Sequence, residues 1–292
     1  MKKAVIILSV LALIISGCGQ ATKKQEHEQQ NATTQSEKQK KDTIPSIQFD
    51  GTQVIMLKNK TLDDLKKKNK PEDKIIMNFL NEYSKLVDKY NGILVNNKNY
   101  DLLNDAYLES DVPYDLDFVK EVKANGFDID QTEGQIYIEE NTDFIKSDIL
   151  SLVDSVSTEF INLYCHEIED KSEEDAGIII TQEEIVKRVY NWGELSEKVS
   201  ELEYKNSVED GFYSNLNYLF YGLENTPSFD FETKKYNQES IDFMNKIIEK
   251  SPKSRAAEEF KPFIELLEDE NFEKTQKVED YWKTVQKRKK TD

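Results

Sequence analysis

From Pro71 onward, apolar residues recur at intervals of three and four, and this spacing restricts most of the chain to amphipathic helices. Ile76, Phe79/Leu80, Tyr83, Leu86/Val87 and Tyr90 make one such stripe, with Asn91-Gly92 as its expected end. Further helices are expected over residues 100–108 and 114–123, the latter stopping at Asn125-Gly126. Asn141-Thr142 should cap a long helix reaching about Glu169, with the stripe Ile145, Ile149, Leu152, Val156, Phe160 and Leu163. Thr181-Gln182-Glu183-Glu184 is a capping box opening a helix with Ile185, Val189, Trp192, Leu195, Val199 and Leu202, and Gly193 within it marks a close crossing or a kink. After an acidic loop over 173–177, later stripes start at Ser207 (Phe212, Leu216, Leu219, Phe220, Leu223), run to Ser251-Pro252 (Ile241, Met244, Ile247/Ile248), start again at Ser254 (Phe260, Phe263/Ile264, Leu267) and finish the chain (Val278, Tyr281/Trp282, Val285). Pro262 should kink or restart the penultimate one.

Two stretches depart from this period. Ile47 and Phe49, then residues 54–57, flank Asp50-Gly51, a dipeptide suited to a hairpin turn. Phe127, Ile129, Ile136 and Ile138 alternate with polar residues around Glu133-Gly134, which predicts a second hairpin. The expected class is mainly α: a helical array or bundle of about eight or nine helices with one or two small β-hairpins. Nothing alternates strand with helix as a parallel sheet demands, and there is no glycine-rich phosphate loop. Asp128, Asp130, Thr132 and Glu139 stand at positions 1, 3, 5 and 12 of a calcium loop, but Glu133 occupies the position that needs glycine and Gly134 comes one place late. The alternation favours the hairpin.

The N-terminus carries an address. Met1-Lys2-Lys3 precedes an apolar run over 4–15 that as a helix reaches only ~18 Å, against the ~30 Å of a hydrocarbon core. The run ends in Ile15-Ser16-Gly17-Cys18, which resembles the lipobox of bacterial lipoproteins. The resemblance implies a signal peptide over 1–17 and a diacylglyceryl group on the sulfur of Cys18, which becomes the mature N-terminus; two acyl chains suffice for stable anchoring. No other cofactor is expected. Residues 19–43 contain no large apolar side chain, so 18–43 reads as a lipidated cysteine and polar tether, and 44–292 as an acidic, mainly helical domain with room for a subdivision near 140. The localisation implied is the outer face of the cytoplasmic membrane, and the Lys-rich, Arg-poor, Asn-rich style looks like that of a Gram-positive bacterium.

Charge and composition exclude several functions. The chain has 39 Lys+Arg against 57 Asp+Glu, a formal −18, and residues 1–43 hold seven Lys against four acids, so the excess acid lies in the domain. Nucleic acid is excluded as a partner, because phosphate binding needs a basic face. Two Cys do not make a disulfide scaffold, and two His do not make a His-rich zinc site.

Candidate chemistry is sparse. Cys165-His166 offers a thiol beside an imidazole, but adjacent helical residues point ~100° apart, so Cys165 reads as core. His166 and Glu169 share a helix face at i, i+3, the spacing of carboxylate-bridged metal sites in helical bundles. The element is similar to the His-x-x-Glu of imelysin-like helical lipoproteins, with Cys165 where that family has glycine; the resemblance implies a metal site, for which Glu159, Asp170 or Asp175 would supply further ligands. Asp115/Asp117 and Glu139/Glu140 are carboxylate pairs of a kind that arises by chance among so many acids, and no general acid or base is assigned. Among the dense aromatics of 212–236, Tyr213, Tyr221, Phe229 and Phe231 are candidates for exposed binding residues. Ser251-Pro252-Lys253-Ser254-Arg255-Ala256-Ala257 resembles the joint between paired helices of tetratricopeptide-like repeats, with Ala256 and Ala257 small enough for close approach. The expected function is that of a membrane-anchored interaction module binding an envelope protein or peptide, not an enzyme. The alternative is a metal-binding helical lipoprotein using His166 and Glu169. A cell-wall hydrolase would need a buried reactive carboxylate or a zinc site that the sequence does not identify.

Overall fold

Asp50-Gly51 begins a helix rather than a hairpin. In the computed structural model, which describes residues 50–289, α1 (Thr52–Lys67) follows directly. Asp50 Oδ1 accepts from the Thr52 N–H at 3.1 Å, so the side chain that suits a turn here nucleates a helical one. Asn125 Oδ1 accepts from the Gly51 N–H at 3.1 Å, and a Cβ on Gly51 would lie 2.5 Å from that oxygen. Val54, Lys58, Thr61 and Leu65 form the buried face, while Ile55 and Met56 are exposed. Ile47 and Phe49 lie outside the described residues.

The chain continues through α2 (Glu72–Val95), α3 (Tyr100–Leu108), a 3₁₀ turn (Pro113–Asp115), α4 (Asp117–Ala124), β1 (Phe127–Thr132) and β2 (Gln135–Glu140). Next come α5 (Thr142–Lys146), α6 (Ser155–Glu169), β3 (Glu173–Glu174) and β4 (Gly177–Ile178), then α7 (Gln182–Ser196), α8 (Lys205–Phe220), α9 (Gln238–Lys250), α10 (Arg255–Asp269) and α11 (Gln276–Lys289). Among the described residues the fold is thus mainly α, with two separate two-stranded antiparallel sheets.

The second predicted hairpin is present. Ile129 pairs with Ile138 and Phe127 with Glu140, around Glu133 and Gly134 at φ 49° and 75°, the twist that a two-residue hairpin turn prefers. One face turns Phe127, Ile129, Ile136 and Ile138 inward. The other carries Asp128, Asp130, Tyr137 and Glu139 outward. The Tyr83 hydroxyl donates to the Gly126 carbonyl and accepts from the Asn141 N–H, which fastens both ends of the hairpin to α2.

The single helix expected over 142–169 is two. Asn141 caps α5 as expected, accepting from the Phe144 N–H at 2.8 Å. The turn then breaks: Ser147 is extended and Asp148 has φ 65°. Lys58 Nζ reaches in from α1 and donates to the Phe144 carbonyl at 2.8 Å, the acceptor that a continuing helix would offer Asp148. Asp154 caps α6 by accepting from the Ser157 N–H. The acidic loop over 173–177 is a minimal hairpin, β3 with β4, turning at Asp175 and Ala176 with φ 48° and 54°.

Gly193 marks a close crossing. A Cβ there would lie 3.2 Å from the Phe212 ring, and one on Gly211 would lie 2.6 Å from the Trp192 ring, so α7 and α8 exchange glycines against aromatics. α9 and α10 form the helix pair expected at Pro252, with Ser254 capping α10 and Ala256 and Ala257 fully buried; α10 continues through Pro262. Phe220 stacks on Phe263 at 3.8 Å and meets Trp282 edge-on, closing this core with α11. Polar links run across the length of the domain: Asp73 on α2 accepts from the Glu203 N–H at 2.8 Å.

Candidate functional site

The outward face of the β1–β2 hairpin, the C-terminal end of α6 and the β3 strand enclose an open cleft of about 630 Å³. Eight carboxylates and two lysines line it, with Tyr114 and Ile179 as its exposed hydrophobic residues. Hairpin alternation aims Asp130, Tyr137 and Glu139 into this space, and Lys171, just past α6, fills their midst. Its ammonium donates to Asp130, to Tyr137 and to Glu139, the last at 2.7 Å. Burial opposes the charge on Lys171, but these bonds outweigh it and raise its pKa. The cation at the near-miss calcium loop is therefore a lysine ammonium.

Glu140 ends β2 on the inner face and is 9% exposed. Burial pushes its carboxyl up to about 7, against the opposing hydrogen bond from the Tyr164 hydroxyl at 2.7 Å. Glu139 is also held above the usual carboxylate range by burial, in spite of Lys171.

Behind the cleft lies a charge hub. Arg188 is 1% exposed and sits on the apolar stripe of α7 between Ile185 and Val189. Its Nη1 donates to Glu167 at 2.7 Å, its Nη2 to Asp170 at 2.6 Å and its Nε to Glu184 at 3.2 Å. Glu167 also accepts from the Trp192 indole at 2.8 Å and from Asn215 at 3.0 Å, so one carboxylate joins α6, α7 and α8. Glu184 accepts a further bond in the same hub: the His166 ring stands 2.8 Å away. Burial works against the charge of Glu184, but His166, Arg188 and Lys187 outweigh it and hold the carboxyl below its usual range.

The sequence candidates separate accordingly. Cys165 is fully buried and burial pushes its thiol up to about 12, so it is core, as expected, and holds no reactive thiolate. Glu169 does not join His166; it pairs with Lys146 at 2.5 Å. Glu159 is taken by Lys198 at 2.8 Å. The donors that do converge are His166, Asp170 and Glu184, whose ligand atoms lie within 4.8 Å of one another.

Two of the four aromatic candidates are core. Tyr213 packs edge-on to Phe212 beneath Arg255, and Phe229 packs edge-on to Tyr236; each is 5% exposed. Tyr221 and Phe231 are exposed, and Tyr221 borders an open groove with Trp282 between α8 and α11. Helical spacing from Phe212 misjudged Tyr213, because α8 is covered on two sides, by α7 and by α11.

Sequence reasoning missed Arg188 and Lys171, and it named Glu140 only as one of a chance carboxylate pair. Arg188 had a legible signal, a cation in an otherwise apolar stripe. Lys171 and Glu140 had none, because their neighbours come from distant segments. No family model, curated protein or solved structure matches the chain. Among the described residues no helix is long and apolar enough to cross a membrane.

Proposed function

We propose that this chain is an extracytoplasmic lipoprotein, held at the outer face of the cytoplasmic membrane through acylated Cys18, which lies outside the described residues. It acts as an interaction module whose acidic cleft receives a Lys- or Arg-bearing segment of an envelope protein. The observation that carries the reading is the charge of the cleft. Lys171 is consumed by Asp130, Glu139 and Tyr137, and among the lining residues only Lys123 adds a second cation, already paired to Asp128 at 3.3 Å. Of the other five acids, Glu169 is paired to Lys146, Asp170 shares Arg188 and Glu140 is bound by Tyr164, so Glu173 and Glu174 at the exposed rim carry the excess charge that favours a cationic partner and selects against an anionic one. The anionic bilayer repels so acidic a domain, which keeps the cleft open to solvent.

The test is cross-linking in intact cells, with the captured proteins identified, for the wild type and for a Glu173→Lys/Glu174→Lys variant. A partner rich in exposed cations, captured by the wild type and lost from the variant, supports the reading. Equal capture by both removes the cleft from it, and turnover of a cell-wall substrate by the purified protein replaces it with an enzyme. Palmitate labelling that persists in Cys18→Ser removes the anchor.

A further inference from the structure

We infer that His166, Asp170 and Glu184 form a binding site for a divalent first-row transition ion, with zinc the best fit, bridging the end of α6 to the start of α7. The inference is independent of the interaction reading. It also departs from the His166–Glu169 pairing, since Glu169 is committed to Lys146.

Three features of the geometry support it. First, the donor set is mixed: one imidazole nitrogen and two carboxylate oxygens within 4.8 Å of one another, a combination that suits zinc with water completing the shell. His166 and Asp170 stand at i, i+4 on the last turn of α6 and its cap, and so share a face, while Glu184 comes from the first turn of α7. The 2.8 Å between His166 Nε2 and Glu184 Oε1 is a hydrogen-bond contact, and it has to open by about half an ångström to reach the ~3.4 Å edge that bonds of about 2.1 Å set in a zinc tetrahedron. Asp170, half exposed, is the donor that has to close in.

Second, the charges leave room for a dication. Arg188 is the one buried cation in the hub, and it faces three carboxylates, Glu167, Asp170 and Glu184. Glu167 is saturated by Arg188, Trp192 and Asn215. The two acids left over are the two proposed ligands, and the other cation near them, Lys187, is solvent-exposed at 3.2 Å from Glu184. Third, the buried guanidinium orients both carboxylates by hydrogen bonds, the support that metal-ligating carboxylates require: it holds Asp170 through Oδ2, which leaves Oδ1 for an ion, and Glu184 through Oε1, the oxygen that also faces His166. Asp170 also lines the cleft, so the ion would be reached from solvent.

The test is calorimetric titration of ZnCl₂, and separately MnCl₂, into chelator-stripped full-length protein, with X-ray absorption at the zinc edge. Binding of one zinc per chain is expected, with manganese weaker and an edge spectrum of one imidazole and otherwise oxygen. His166→Ala and Asp170→Asn should each weaken zinc at least tenfold, whereas Glu169→Gln should leave the affinity unchanged. His166 and Asp170 are partly exposed, and circular dichroism verifies that each variant is folded; His166→Gln, which keeps a hydrogen bond to Glu184, repeats the test if His166→Ala does not fold. No heat with either ion up to millimolar concentration overturns the assignment. So does zinc binding that survives loss of His166, that depends on Glu169, or that shows sulfur in its shell.

Discussion

Replacing Arg188 by methionine keeps most of the side-chain volume and removes the cation that Glu167, Asp170 and Glu184 share. Breaking a buried ion pair from one side costs about 3–5 kcal/mol, because the partner is left charged and unmatched. The three carboxylates are not equally trapped. Asp170 is 51% exposed and can rehydrate, whereas Glu167 and Glu184 are 28% and 19% exposed. The lower end of the range, about 3 kcal/mol, is therefore expected, which in a domain of this size lowers Tm by about 6–12 °C. Urea unfolding followed by far-ultraviolet circular dichroism reads the loss. Adding Glu167→Gln should recover more than about 1 kcal/mol, since the amide oxygen still accepts from Trp192 and Asn215 without an orphaned charge. A loss below about 1 kcal/mol for Arg188→Met, or no recovery in the double variant, refutes the claim that this guanidinium neutralises the hub.

Glu140 sets a pH dependence of defined sign. Its carboxyl is raised from 4.5 to about 7 by burial, so the folded state binds the proton more tightly than the unfolded chain. That contribution to stability, roughly 3 kcal/mol, is complete below about pH 4.5 and is lost as the pH rises towards 7. Glu140→Gln should match the wild type in stability near pH 4.5 and exceed it by roughly 2–3 kcal/mol at pH 8; parallel stability–pH profiles for the two proteins would contradict this. Gly211→Ala should destabilise by about 1–2 kcal/mol, as overpacking against the Trp192 ring outweighs the better helix propensity of alanine. Gly92→Ala on α2, where a Cβ meets nothing within 4 Å, should stabilise by up to about 1 kcal/mol; thermal melts that rank the two variants the other way would undo the crossing argument.

The candidate site was only partly legible beforehand. The hairpin at 127–140 could be read because its alternation and its Glu-Gly turn agree locally, and the capping box at Thr181 because Thr181 Oγ1 does accept from the Glu184 N–H at 3.2 Å. Cys165 could be read as core because its helical neighbour His166 points away from it. Asp50-Gly51 misled because the same dipeptide serves a hairpin turn and a helix start. What selects the helix is Asn125, 74 residues away, receiving the Gly51 N–H. Which acid stands beside His166 was not legible: Lys146 pairs with Glu169 from one segment while Glu184 approaches His166 from another.

Local rules, periodicity, caps and turn residues, determined that this chain folds mainly as helices and where most of them lie, because those preferences are satisfied within a few residues of where they are written. Tertiary structure alone decided which charges meet. Lys58 ends a helix more than eighty residues downstream, Lys171 fills the pocket of a hairpin that precedes it, and Arg188 gathers three acids from two helices and a loop. A charge in a sequence has no local partner that must satisfy it. Burial makes the demand, and burial is a property of the packed chain.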